Sequence, residues 1–132
     1  MPLNIDSALG TLPEALVLRG RRSELIASNL ANADTPNFKA RDFDFRAAMD
    51  QATGGQMAMR ATQARHIAFS ESAGPGAAHL QYRVPLQPSV DGNTVDGQVE
   101  QAAFAENAVN YQATLTFLSG RISGLLRAIK GE

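Results

Sequence analysis

Between Phe104 and Ile129, apolar residues recur as Phe104, Ala108, Tyr111, Leu115, Leu118, Ile122, Leu125 and Ile129, at steps that alternate between four and three. An unbroken heptad of that length predicts one long α-helix with a single apolar seam. Asp96 is a suitable N-cap, Glu100 suits the first turns, and Arg127 and Lys130 suit the last turn, where the helix dipole favours cations. At 1.5 Å per residue, a helix from about 96 to 130 spans on the order of 50 Å. Such a helix cannot fold its seam onto itself. Another helix of the chain must lie along it, and other chains as well.

Only one other segment can supply that partner. From residue 7 to 32, Leu9, Leu12, Leu16, Ile26 and Leu30 keep the three-and-four spacing if Arg19 and Ser23 occupy two seam positions. The stripe is narrow, as in a coiled coil. Ser7 or Thr11 can cap the start, Pro13 is tolerated in a first turn, and Gly20 costs about 1 kcal/mol relative to Ala. The expected fold is mainly α. Long N- and C-terminal helices pack antiparallel as a coiled-coil-like layer, and an irregular middle holds a short helix and a short extended or β segment. The 132 residues form one elongated domain: helix 7–32, turn and middle 33–95, helix 96–130. Aromatics are only 6% and Trp is absent, so a thin core is expected.

In the middle, Phe45 to Ala52 can form two turns of helix. Residues 54–80, rich in Gly, Ala and small polar side chains, show no sustained period and are expected to be mobile in isolation. Leu80, Tyr82, Val84 and Leu86 then alternate with Gln81, Arg83, Pro85 and Gln87, a period-two strand. Pro85 lacks a backbone donor and confines it to an edge. Asp91-Gly92-Asn93 is a turn that returns the chain to the last helix.

Several function classes are excluded or disfavoured. A formal net charge of −1 gives no basic face for nucleic acid. There is no cysteine, hence no disulfide and no thiolate metal site. No run approaches the roughly 18 apolar residues of a membrane span, and no cleavable secretory signal is visible at the start. His66 and His79 lack the spacing and companions of a zinc site. Asp42 and Asp44 share one face of an extended segment but read better as a solvated or ion-paired loop, with Phe43 and Phe45 turned inward. Ser119-Gly120 and Ser123-Gly124 form a small-residue strip that lets another backbone approach. Neither a cofactor nor a metal is expected.

The stretch ASNLANADTPNFKARDFDF, residues 27–45, is where the first helix stops. Asn29, Asn32 and Asp34 lack the acid density of a calcium loop and fit helix termination. Thr35-Pro36-Asn37-Phe38 fits a type II turn with Asn37 at the position that needs positive φ. Phe38, Phe43 and Phe45 can anchor the segment beyond the turn.

This stretch resembles the signature that follows the first helix in bacterial flagellar axial proteins, the rod and hook family, roughly N-[IL]-A-N-x-x-T-P-G-[YF]-K. The Asp before Thr35 and the continuation ARDFDF are similar to the proximal-rod members. YRVPLQPSVDGNTVD, residues 82–96, and Glu106-Asn107 to Tyr111 with the heptad helix after them are further matches. Asn37 stands where the family usually has Gly, and Asn is the next best residue at positive φ.

The resemblance implies a structural subunit and no enzyme. Its partners would be like subunits, other rod proteins, the inner-membrane (MS) ring and the flagellar export apparatus. It would be exported without a cleaved signal to a rod in the periplasmic space, with its terminal helices ordering fully only on assembly. The alternative from the heptads alone is a soluble helical adaptor or export chaperone clasping a partner helix. A small hydrolase using His66 or His79 with Asp42 or Asp44 lacks an oriented nucleophile.

Overall fold

The structure, a computed structural model, describes residues 5–53, 80–85, 87 and 89–131. The expectations for residues 54–79, including His66 and His79, and for Leu86 lie outside the described residues. The elements are α1 (Ile5–Leu9), α2 (Leu12–Ala31), β1 (Arg41–Asp42), α3 (Phe45–Thr53), β2 (Gln81–Tyr82) and α4 (Gly97–Lys130). No helix among the described residues is long and apolar enough to cross a membrane.

The expected first helix is divided. Gly10 adopts φ +64°, and α2 begins two residues later with Pro13 in its first turn. In a continuous helix Pro13 would leave the Leu9 carbonyl without a donor and press its ring against it. The break removes that conflict. Thr11 sits at the cap position, but its contribution is a backbone carbonyl that accepts from Ala15 N–H at 3.1 Å; its side chain makes no capping bond.

α4 ends as its sequence foretells. The Asp96 carboxylate accepts from the N–H groups of Gln98 and Val99 at 3.0 and 3.3 Å. At the other end Gly131 takes φ +74°, and its N–H donates to the Arg127 carbonyl at 2.9 Å. This is the left-handed C-terminal arrangement that glycine permits.

α2 and α4 run antiparallel. Asn29 meets Glu100, Arg19 and Ser23 meet Asn107, and the Arg121 guanidinium lies against Gly10. The register of the two seams differs from expectation. The face of α4 that meets α2 carries Glu100, Asn107 and Thr114, seven residues apart and all buried. Tyr111, Leu118 and Leu125 flank them, half-buried. On the next flank Ala108, Leu115, Ile122 and Ile129, also seven apart, are exposed, as is Phe104. The reason is chemical. α2 offers the Arg19 carbonyl and the Ser23 hydroxyl at its seam, and the Asn107 amide donates to them at 2.9 and 2.8 Å. Polar meets polar, and the described residues leave the apolar seam of α4 uncovered along one edge.

The opposite side of α2 packs the small core. Leu18, Phe43 and Ala48 are buried together, with Leu25, Phe45 and Met49 against them. The Arg19 guanidinium lies 4.4 Å from the Phe45 ring centroid, so a cation covers the edge of the cluster. α3 is docked by this cluster and capped by Asp44, whose carboxylate accepts from the N–H groups of Arg46 and Ala47. β1 and β2 pair antiparallel, Arg41 opposite Tyr82 and Asp42 opposite Gln81. Two strands of two residues are not stable alone. Asn29, Arg22 and Arg83 hold them beside α2 and α4.

Candidate functional site: the joint between helices and loops

α2 ends in a chain of polar contacts. Asn32 is its C-cap: its backbone N–H donates to the Asn29 carbonyl at 3.0 Å and the next N–H, of Ala33, to the Leu30 carbonyl at 3.2 Å, while the Asn32 side-chain amide donates to the Ser28 carbonyl at 2.8 Å and its side-chain oxygen accepts from the Thr35 hydroxyl at 3.2 Å. The Phe38 N–H then donates to the Thr35 carbonyl at 3.3 Å, with Pro36 and Asn37 at the corner. Asn37 has φ +62°, the positive value that a type II turn demands at this place. Asp34 and Pro36 are exposed on the turn, and Phe38 is half-buried.

The second loop lies on this turn. The amide nitrogen of Asn93, buried at 5% exposure, donates toward the carbonyls of Asn32, Ala33 and Thr35 at 3.0, 2.7 and 3.0 Å. These carbonyls belong to the turn just past the end of α2; those of Asn32 and Thr35 also accept from the N–H groups of Thr35 and Phe38, so Asn93 is a second donor to them. Asn37 N–H donates to the Asp91 carbonyl, Thr94 N–H to the Phe38 carbonyl, Ala40 N–H to the Thr94 hydroxyl, and the Lys39 ammonium to the Gly92 carbonyl at 2.6 Å. Gly92 has φ +73°, where any side chain is strained, and a Cβ there would lie 2.7 Å from the Asn37 side-chain oxygen and force that side chain to move. The two turns that the sequence marks separately are one structure.

Asn29 holds the strands to the helix. Arg41 stands opposite Tyr82 in a pair whose ladder bond is made by its neighbour, Arg83 N–H to the Ala40 carbonyl. In an antiparallel ladder the backbone groups of Arg41 therefore point away from β2. The Asn29 side chain takes both, donating to the Arg41 carbonyl at 2.8 Å and accepting from its N–H at 3.0 Å. A helix side chain thus serves as the missing neighbouring strand.

An ionic network closes the joint. Arg22 from α2 donates twice to the Asp42 carboxylate, at 3.2 and 3.1 Å. Arg83 bridges Asp42, at 2.7 Å, and Glu100 of α4. Glu100 is fully buried, and its other oxygen accepts from Asn29 at 3.4 Å. Two cations and two carboxylates join α2, β1, the segment after β2 and α4. Burial acts to raise the Asp42 carboxyl, but hydrogen bonds from Arg22, Arg83 and the Phe43 N–H outweigh it and hold the group below its usual value.

The structure brings together Asn29, Asn32, Thr35, Asn37 and Phe38 at this joint. On α2, Ile26 is buried and Leu12, Leu16 and Leu30 are half-buried, as is Leu9 on α1. Sequence reasoning missed Arg22, Arg83, Glu100 and Asn93 as members. A half-buried strand normally turns its apolar side inward, yet Leu80, Tyr82 and Val84 are exposed and Arg83 points in toward Glu100, so the alternation gave no signal of this pair. Asp42 and Asp44, considered as a catalytic pair, are committed to an ion pair and a helix cap. Among the described residues no group of acids and histidines could hold a metal ion.

The comparisons with known proteins match this part of the chain and extend beyond it. A family model described as flagella basal body rod protein matches residues 9–39, from the end of α1 through α2 and the turn. Over nearly the full length, the chain is similar to the flagellar basal body rod protein FlgB of Cereibacter sphaeroides, at 52% identity over 94% of each chain. The FlgB of Aeromonas hydrophila is 46% identical over 100% of this chain and 99% of that protein. The FlgB of Escherichia coli is 42% identical over 96% and 95%. With this identity over this length, the chain belongs to the flagellar basal body rod protein family.

Proposed function

We propose that the chain is a subunit of the rod wall, in which the joint fixes the angle between the helix pair and the middle of the chain while neighbouring subunits cover the open edge of α4. Family membership makes it a structural component of the flagellar basal body that assembles with other rod components, and not an enzyme. The observation that carries the mechanical reading is the uncovered seam: Leu115, Ile122 and Ile129 are 39, 42 and 81% exposed along a 34-residue helix. Apolar residues repeated at heptad spacing are matched by a further helix, and in a rod that helix comes from a like subunit or another rod protein.

The finer proposals rest on the resemblance and the composition. The rod so formed would cross the periplasmic space, rest on the inner-membrane ring and enclose the path of export, and the chain would reach it through the flagellar export apparatus without a cleaved signal. Ile122→Asp tests the reading. The exposed site leaves the isolated chain folded, and the introduced charge keeps the variant out of purified basal bodies and abolishes motility. Full motility with Ile122→Asp in the rod would contradict it. A soluble adaptor would instead be absent from basal bodies and bind one cytosolic client stoichiometrically.

A further inference from the structure

Three rows of side chains run side by side along α4, the members of each seven residues apart. Glu100, Asn107 and Thr114 are buried against α2, and Tyr111, Leu118 and Leu125 beside them are half-buried. The third row, Leu115, Ile122 and Ile129, lies beyond the second and is exposed. α2 meets this helix with an apolar seam of its own, in which Leu12, Leu16 and Leu30 are half-buried and Ile26 is buried. Turning α4 about its axis by one row would pack that seam on the third row and bury more apolar surface. The chain does not take that arrangement.

Asn107 stands against it. At 2% exposure, its amide nitrogen donates to the Arg19 carbonyl at 2.9 Å and to the Ser23 hydroxyl at 2.8 Å. Glu100 is tied at the joint, to Arg83 and Asn29. Further along, Thr114 turns its hydroxyl back to the Asn110 carbonyl of its own helix. Among the described residues, Asn107 is thus the last side chain along α4 that bonds to α2. The contact lowers stability as well as adding to it: the Asn107 side-chain oxygen is buried and has no hydrogen-bond partner among the described residues. A single buried Asn that bonds in only one arrangement fixes the register of paired helices, at a loss of stability relative to an apolar residue.

We infer that Asn107 decides which row of α4 its own α2 occupies, and that by holding α2 on the polar row it keeps the Leu115–Ile122–Ile129 row open for a neighbouring subunit. The first half concerns the chain alone. The second half rests on the reading of the chain as a rod subunit, and adds to it the residue that stops the chain from satisfying its own assembly surface.

The absence of cysteine lets single thiols report the register. Thr114→Cys and Leu115→Cys are placed in the full chain, each alone and each with Asn107→Ala, and their rates of reaction with a maleimide are measured on the isolated chain. With Asn107 in place, Leu115→Cys should react about tenfold or more faster than Thr114→Cys, because residue 114 is 8% exposed and residue 115 is 39% exposed. With Asn107→Ala the order should reverse. Faster reaction at both sites would mean that Asn107 only holds the helices together, and an unchanged order would mean that the register is set without it; either result overturns the inference. Ser23→Leu is read in parallel, since it keeps Asn107 but fills the seat of its amide: the same reversal is expected, and an unchanged order overturns the inference even if Asn107→Ala does not fold. Asn107→Ala without the cysteines should be depleted about tenfold or more from purified basal bodies at equal expression. Reversal of the thiol order with undiminished incorporation would overturn the second half alone. Absence of the wild-type chain from basal bodies would overturn the rod reading and leave the register result standing.

Discussion

Glu100, Asn29 and Asn93 at the joint are polar and buried, whereas Ile122, Leu126 and Ile129 at the other end of α4 are apolar and exposed. The usual relation between polarity and burial is inverted at both ends of one helix. At the joint the inversion is resolved inside the chain, since each buried group has named partners: Arg83 on Glu100, the Arg41 backbone on Asn29, three carbonyls on Asn93. Polar contacts are directional, so they fix one geometry between helix pair and loops. At the far end no described residue covers the apolar side chains, and in the proposed rod wall a neighbouring subunit would. The comparison separates a part complete in the monomer from a part completed by assembly.

The largest expected effect breaks the joint. Glu100→Ala leaves Arg83 without its buried partner and should lower the unfolding free energy of the isolated chain by about 3 kcal/mol, read by denaturant titration. A loss below about 1 kcal/mol would show that the network is solvated. Asn93→Ala removes the side-chain donor shared by the Asn32, Ala33 and Thr35 carbonyls and should cost about 2 kcal/mol in the same titration. An unchanged midpoint would mean that the second loop does not hold the end of α2.

Asn37 sharpens the comparison, because its demand is conformational and not chemical. With φ +62°, Asn37→Gly should be nearly neutral and Asn37→Val should cost about 1–2 kcal/mol, since a β-branched residue resists positive φ. Equal stability of the two variants would remove the turn from the account. The smallest effect is acid sensitivity. The Asp42 carboxyl is lowered in the folded chain, so its contribution is present above the unfolded pKa of about 3.9 and fades as pH falls through the lower folded value. Wild type should therefore lose stability below about pH 4 more steeply than Asp42→Asn, and parallel profiles would detach Asp42 from the network.

Much of this architecture is legible in the sequence where local rules act alone. The heptads mark two helices, Asp96 marks the start of the long one and Arg127 and Lys130 its last turn, and Pro36-Asn37 marks the turn. The mainly helical, antiparallel arrangement of long terminal helices comes from these. Legibility ends where a long-range polar contact decides. Asn107 and Ser23 lie 84 residues apart, and nothing local tells that their hydrogen bond rotates α4 so that polar positions, not apolar ones, face α2. Glu100 reads as an ordinary acid in a first turn; only the approach of Arg83 makes it a buried ion. The break at Gly10 was readable in principle, since Pro13 conflicts with the Leu9 carbonyl in any continuous helix. The face of the strand was not, because Leu80, Tyr82 and Val84 alternate as a buried face does and yet lie outside.

The most direct test of the division between a complete joint and an incomplete far end is amide hydrogen exchange on the dilute monomer, resolved along α4. Its first turns, from Gly97 to about Thr114, should exchange slowly together with the Asn37–Ala40 and Gly92–Val95 amides. The last turns, from about Leu118 to Lys130, should exchange fast and become protected in purified basal bodies. Uniform slow exchange from Gly97 to Lys130 in the monomer would contradict the account, because the far end would then be complete without a neighbour.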